Sequence, residues 1–429
     1  MSGLAAAVSL AHHGIPSLIL EQKPAPGGRS SSFFDSTTGR VLDNGQHVLL
    51  AGYRNTMAFL KTIGAFHLLS IQEQPLLQFH HPDRGVCRFS VPRWKPPAHL
   101  LGAVAGSTLL GVRDRWNLVR AGKALQREKP PDEMTIDGWL DDHRQSMEVR
   151  RAFWNPLAIS IMNELPSRAA ALPFLRSLKE AFLGTWKSAC LAIPRVGLYD
   201  LYVDPACTFV RNHGGSILSG ADVREILLDD SRATGVRLRD GREFHGCAVI
   251  VTVPPHRAAR ILPAGCGINI DELTQFTYSP IVSTHLWFPV DFMPYDFMGL
   301  IGTKTQWVFN RTRIEKSGEG NVHLSTVISA GYDVVDKSNE EIVSMTIDDL
   351  AGVFGSRVDR PSHSVVIREK KATISLTPEA ESLRPPQKTA IPNLFLAGDW
   401  TQTGYPATIE SAVISGNRCA EMIRSIPAH

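Results

Sequence analysis

Four short runs of this sequence carry residue types suited to holding a phosphate-bearing or ring-bearing ligand. The first is Ser2-Gly3-Leu4-Ala5-Ala6-Ala7, which reads as the tail of a Gly-x-Gly-x-x-Gly dinucleotide fingerprint. In that fingerprint the last glycine permits close helix-to-strand packing, and the helix N-terminus faces a pyrophosphate. Glu21 lies 18 residues beyond Gly3, at the end of an apolar run. An acid there can accept hydrogen bonds from ribose hydroxyls. Taken alone, Gly3 and Glu21 fit a plain helix-turn-strand equally well. The second run is Pro26-Gly27-Gly28-Arg29-Ser30, in which paired glycines let backbone amides approach a phosphate or a ring, and Arg29 adds charge. The third is the turn Asp43-Asn44-Gly45-Gln46-His47, where Gly45 suits a backbone passing close to a ring system, or simply a solvated turn. The fourth runs from Leu394 to Trp400, an apolar strand entering Gly398-Asp399, followed by Ala407 to Ala412 at the start of a helix. A carboxylate after a buried strand can bind a chain hydroxyl. The helix start, with Ile409 and Glu410 in its first turn, offers free amides and a positive dipole to a developing anion.

The elements that must hold these runs follow from hydrophobic periodicity. Leu4, Ala7, Val8 and Ala11 recur at helical spacing, and Gly14 suits a helix stop. Ser17 to Glu21 reads as a buried parallel strand. Residues 53 to 64 read as a helix, as do Trp116 to Gln126 and Met147 to Ile161. Gly220 to Val253 alternates like a meander with an Asp-Gly turn at 240–241, and residues 281 to 330 read as several strands. Residues 339 to 354 form a further helix. A last helix presents Ile409, Ala412, Val413, Gly416, Ala420 and Ile423 on one face. No internal repeat or low-complexity tract interrupts the pattern.

Composition narrows the class. The 429 residues exceed one simple core, and 43% hydrophobic with 20% charged residues is ordinary globular usage. A net charge of +3, with no basic stripe interleaved with aromatics, argues against nucleic acid. The six cysteines form no CxxC pair and no zinc-ligand spacing, which suits buried thiols in a reducing compartment. No basic region precedes Leu4 to Leu10, so no signal peptide is expected. The longest apolar run, Ala98 to Val112, is shorter than the roughly 20 residues that span a bilayer. A soluble or membrane-peripheral protein is expected, cytoplasmic or on the inner face of the cytoplasmic membrane.

Taken together, the acid-ended strand, Gly-Gly-Arg, and the C-terminal Ala-Gly-Asp-Trp with its helix resemble the flavin amine-oxidase and phytoene-desaturase superfamily. The narrower resemblance is to the squalene-associated FAD-dependent desaturases, or hydroxysqualene dehydroxylases. It rests on Leu42 to Leu50, Trp154 to Leu157, Leu201 to Pro205, Ser279 to Val282 with His285 to Phe288, Gln306 to Phe309, and Ala397 to Ser411. The resemblance implies an α/β chain with an α+β substrate lobe. A Rossmann-like FAD domain (1–66, 196–265 and 386–429) is interleaved with a mixed-sheet and helical substrate domain (67–195 and 266–385). It places FAD against Gly3, Glu21, Gly27, Gly28, Arg29, Val223, Gly398, Asp399 and Ile409. The sequence departs from the family in lacking the first strand and first two glycines of the fingerprint, and a start placed too late is the expected cause.

The same resemblance implies reduction of hydroxysqualene to squalene, with hydride from flavin to the carbon that loses its hydroxyl. Asp43, His47 and Glu164 are the expected proton donors, and His47 could equally be structural. Phe276 to Phe309, with Trp287, Phe288, Trp307 and Phe309, would line an apolar tunnel or fill a sheet core. Ala98 to Val112 would dip into a membrane beside Arg113, Arg115, Arg120 and Lys123, or pack as an ordinary helix. The partners implied are an isoprenoid and a membrane surface, with a homo-oligomer left open. The rivals are an oxidative carotenoid-type desaturase, an amine oxidase, and a flavin-free remnant.

Overall fold

The computed structural model describes residues 1–127, 129–317 and 320–426. The chain opens with the helix Ser2–His12, whose alanines favour the helical state. Nearly all of its side chains are buried, and a helix apolar all round must be covered on every side. The closing helix Ile409–Arg424 and the helix Asp204–Asn212 supply that cover. Gly416 makes the first contact possible, because a Cβ there would lie 2.3 Å from the Ser2 carbonyl oxygen. Gly14, at φ +74, turns the chain out of the opening helix.

Four short parallel strands surround this helix pair. Leu18–Glu21 pairs with Ser216–Ser219, and Val249–Val251 pairs with Leu394–Leu396. The two pairs are separate, and among the described residues no strand joins them. The opening helix bridges to the second pair instead. A Cβ on Gly3 would come within 2.9 Å of Thr252 Oγ1, and Ser2 Oγ donates to the Ala397 carbonyl at 3.3 Å.

The other large element is a seven-stranded sheet. Its order is His363–Ile374, Tyr278–Phe288, Val322–Ser329, Trp307–Asn310, Phe297–Leu300, Leu76–His81 and Gly85–Ser90. Only the pairing of Phe297–Leu300 with Leu76–His81 is parallel. Alternation along the strands gives the sheet two unlike faces. Leu286, Phe288, Val308 and Leu324 pack on one side with Phe292, Met293 and Leu350. The opposite face carries Ser283, His285 and Trp287 on one strand and His323, Ser325 and Val327 on its neighbour. Phe309 and Trp307 continue it.

Three expectations from the sequence need correction. Ala98 to Val112 is not one helix. The helix Ala98–Gly106 stops at a glycine, Ser107 is extended, Leu109 and Leu110 turn into the core, and a new helix runs Val112–Arg127. Met147 to Ile161 is helical but contains a widened π-turn at Arg150–Trp154. Pro156 has no N–H to donate to the Ala152 carbonyl, which relieves the chain of a regular α-turn there. The aromatic residues of 276–309 do not line one surface, since Phe288 faces away from Trp287, Trp307 and Phe309. Among the described residues no helix is long and apolar enough to cross a membrane.

Candidate active site

The start of the opening helix is where charges from distant segments converge. Burial first, reinforced by Arg29 and opposed by Asp399 and Glu21, acts on the charge of the Met1 amino group. Arg29 donates to Asp399 Oδ1 at 2.6 Å and to the Ala372 carbonyl at 2.8 Å, tying the Gly-Gly-Arg loop to the far end of the chain. Its side chain is 44% exposed, so solvent screens the pair. Gly27 and Gly28 adopt φ +118 and +64, values that glycine reaches without strain. A Cβ on Gly28 would meet nothing within 4 Å, so the loop borders open space. Glu21 holds the Lys23 amide through Oε1 at 2.8 Å. Its own carbonyl accepts from Ala221, which brings the strand beginning at Val223 beside it. Gly398 donates its amide to Ser415 Oγ at 2.9 Å, and a Cβ there would collide with the Trp400 indole.

The loop between Asp399 and the closing helix is fixed by Arg384, a residue the sequence reading passed over. Its buried guanidinium donates to Glu381, to the carbonyls of Tyr405 and Asp399, and to the hydroxyls of Thr403 and Ser411. Thr408 caps the helix by accepting from the Ser411 amide. Ile409 therefore stands in a first turn whose position is set from behind.

The Asp43–His47 turn lies between this cradle and the sheet. Asn44 donates to the Arg29 carbonyl at 2.7 Å, while its Oδ1 is buried and unpartnered. Asp43 Oδ1 accepts from Ser32 Oγ and from the Leu198 amide, a clasp that fixes the turn. On the other side a Cβ on Gly45 would sit 3.2 Å from Ser283 Oγ of the sheet. Gln46 Oε1 accepts from Arg311 Nη1 at 2.6 Å. Val48 packs against Phe309, Val327 and Ile193. Burial first, opposed by the Asp43 carboxylate and reinforced by the Arg29 cation, holds the His47 imidazole below its usual 6.5. This environment disfavours the imidazolium form of His47 and leaves the ring its single N–H.

Asp43 and His47 share one turn, whereas the carboxylates of Glu164 and Glu410 make their hydrogen bonds to other segments. Glu164 is wholly buried elsewhere, accepting from Tyr332 Oη at 2.6 Å, the Leu165 amide at 2.8 Å and Ser375 Oγ. Both of its oxygens are engaged, so it anchors that corner. Glu410, expected at the cofactor, directs both oxygens to the helix Arg54–Thr62, accepting from the amides of Asn55 and Thr56 and from both side chains. It neutralises that helix's N-terminal dipole. The sequence also gave no sign that His285 and His323 meet, because their strands pair across 38 residues.

The residues fit a flavin dinucleotide. An acid ends the strand beside a helix N-terminus, Gly28 borders open space next to a cation, and a carboxylate precedes a second helix N-terminus. When bound, the flavin would supply hydride chemistry beside the Asp43–His47 turn. The model for flavin containing amine oxidoreductases matches residues 1–424. Hydroxysqualene dehydroxylase of Rhodopseudomonas palustris is 31% identical, with 99% of this chain and 96% of that protein covered. The 15-cis-phytoene desaturase of Synechococcus elongatus is 22% identical, with 99% and 94% covered. The crystal structure of an oxidoreductase from Methanosarcina mazei superposes with a TM-score of 0.76 at 17% identity, with 98% of each chain covered. The chain belongs to the flavin containing amine oxidoreductase family and is an FAD-dependent oxidoreductase.

Proposed function

We propose that the chain removes the hydroxyl of hydroxysqualene by reduction, giving squalene. The observation that carries this reading is the position of the Asp43–His47 turn. It stands between a flavin cradle and a sheet face that is apolar at Val327, Phe309 and Trp307 and polar at Ser283, His285 and Ser325. An apolar chain with one hydroxyl suits such a divided face. The relatives named for that reaction support it with higher identity than the phytoene desaturase. The chain's own contribution is to hold the hydroxyl-bearing carbon in line, exclude water and deliver a proton to the leaving oxygen. The test is anaerobic mixing of the reduced FAD-loaded protein with hydroxysqualene. Squalene formed in step with flavin reoxidation supports the reading. Oxidised protein that instead desaturates phytoene would establish the desaturase alternative, and a chain that takes up no FAD on reconstitution would establish the remnant.

The substrate would arrive from a membrane, on whose inner face the protein would sit peripherally. Trp94, Leu101, Val112 and Trp116 are exposed on neighbouring segments, with Lys95, Arg113, Arg120 and Lys123 exposed among them. Indoles beside cations suit the headgroup level of an anionic bilayer. Sedimentation with anionic vesicles, lost in a Trp94→Ser/Trp116→Ser double variant, is the expected result. Equal binding by the variant would remove this surface from the proposal.

A further inference from the structure

The polar part of the sheet face holds a group that the reading above leaves unused. His285 and His323 are both buried, and His285 Nδ1 lies 2.9 Å from His323 Nε2. One proton is shared across that contact. If His285 donates it, the outer Nδ1 of His323 carries a hydrogen and the outer Nε2 of His285 is bare. If His323 donates it, the outer nitrogens exchange roles. The two states differ by one proton moved from one end of the pair to the other. The outer Nδ1 of His323 is buried and unpartnered, as are the adjoining Ser283 and Ser325 hydroxyls and the Trp287 indole N–H, and the buried outer Nε2 of His285 makes no well-formed hydrogen bond although the Asp43 carbonyl faces its ring. Buried polar groups are nearly always satisfied, so such a cluster marks a place where water or substrate completes the bonding.

The ends of the pair face different surroundings. The His285 ring faces the backbone carbonyl of Asp43, in the turn beside the cradle, and feels the Arg311 and Asp35 charges. His323 is stacked on Trp287, with centroids 4.4 Å apart and planes at 6°, and feels Arg311 and Arg40. Trp287 also touches His363, whose Nε2 is 3.4 Å from Asp35 Oδ2 at the partly exposed rim. The order towards the turn is thus His323, then His285, then Asp43, with Trp287 standing between His323 and the His363 rim. Arg311, its charge matched by Glu315, closes the side.

We propose that His285 and His323 form a two-imidazole relay that takes up a proton from water at the outer Nδ1 of His323 and hands it on through His285 to the departing hydroxyl beside the Asp43–His47 turn. The proposal rests on the dehydroxylation reading. In that reaction the C–O bond breaks, a C–H bond forms with hydride from reduced flavin, and the hydroxide takes one proton to leave as water. An imidazolium is disfavoured at His47 and Glu164 is engaged by Tyr332 and Ser375, so a proton delivered along the histidine pair meets the need. Burial pushes His285 down to about 4 and His323 to about 2. Neither ring stores an imidazolium at neutral pH, so the two transfers occur in concert.

The experiment compares wild type with His285→Gln and His323→Gln, and with the corresponding Asn variants, in anaerobic single turnover with hydroxysqualene from pH 6 to 9. Relay function predicts unchanged flavin spectrum and substrate affinity, and a turnover rate about a hundred-fold lower, the scale of general-acid assistance. It also predicts a double variant no slower than either single one. Wild-type rate and pH profile in either folded variant would overturn the relay. Two measurements need no variant. Single turnover of wild type should slow in D₂O with a curved proton inventory. ¹⁵N spectra of labelled histidines should show one neutral pair sharing a proton. Equal rates in H₂O and D₂O, or two independently titrating rings, would overturn it. A wild type that holds FAD yet makes no squalene would instead sink the functional reading, which keeps the two failures apart.

Discussion

The cradle and the sheet face use charge in opposite ways. Around the opening helix, charged groups are paired or capped. Arg29 meets Asp399, Arg384 holds five acceptors, and Glu410 closes a helix end. On the sheet face beyond the turn, Ser283, His285, Trp287, His323 and Ser325 each keep a buried polar atom with no partner. The first arrangement fixes backbone against a ligand that must not move. The second leaves bonding capacity open, as a site needs when protons or hydroxyls pass through it. The cradle should therefore be fragile to loss of a partner, whereas the sheet face should lose chemistry before it loses stability.

The largest effect is expected at Arg384. Replacing it with Met removes a buried cation and strands the Glu381 carboxylate and several acceptors. Breaking such a buried network costs about 3–5 kcal/mol. Thermal melting should show a large drop, and the loop carrying Asp399 should release FAD. A Met variant that melts like wild type and keeps its flavin spectrum would contradict the cradle account. Glu410 comes next. Glu410→Gln keeps the shape but removes the charge on a buried helix end, with an expected loss of about 1–3 kcal/mol. If Glu410 touched the cofactor instead, FAD affinity would fall while apoprotein stability stayed put, and titration of both separates the cases.

That contrast also decides what the sequence could reveal. The cradle is built from runs of a few residues. Glu21, Gly27 to Arg29 and Gly398-Asp399 each carry their meaning locally, in a left-handed glycine, an acid at a strand end or a helix start. Their geometry could be read before any fold was known, as could the helices that hold them. A carboxylate at a helix N-terminus looks the same whether it serves a ligand or a neighbouring helix, and the Glu410 side chain serves the helix Arg54–Thr62. Glu164 misled because its enclosure by Tyr332 and Ser375 depends on contacts more than a hundred residues away. The sheet face is a product of register. His285 meets His323 only because Leu286 pairs with Leu324, and a slip of one residue would turn both rings to the opposite face. The polar residues at 283, 285, 323 and 325 alternate along their strands, but only the pairing of those strands brings them together.

The histidine pair supplies a pH test of intermediate size. Unfolded, each ring takes up a proton near 6.5, whereas folded His285 resists until about 4 and His323 until about 2. Below 6.5 the unfolded chain thus binds more protons than the folded one. Stability is complete above that pH and declines as pH falls from 6.5 towards 4. Each ring contributes a slope of up to about 1.4 kcal/mol per pH unit. Urea titrations at pH 7 and pH 5 should show a smaller difference for the His285→Gln/His323→Gln chain than for wild type. An unchanged difference would mean the rings are solvated and the face is not dry.

The smallest effect is expected at the seam between the two regions. Gln46 Oε1 accepts from Arg311, which ties the turn to the short helix Arg311–Glu315 beside the sheet. Arg311 keeps Glu315 as its partner when Gln46 is lost, so Gln46→Ala should cost only about 1 kcal/mol. Its kinetic consequence should be larger than its stability cost, because the turn must hold the hydroxyl at the right distance from both the cradle and the histidine pair. The expected pattern is a lower kcat with little change in KM or in FAD affinity. A parallel loss of FAD affinity would mean that Gln46 belongs to the cradle, and the division between the two regions would have to be redrawn on the sheet side of the turn.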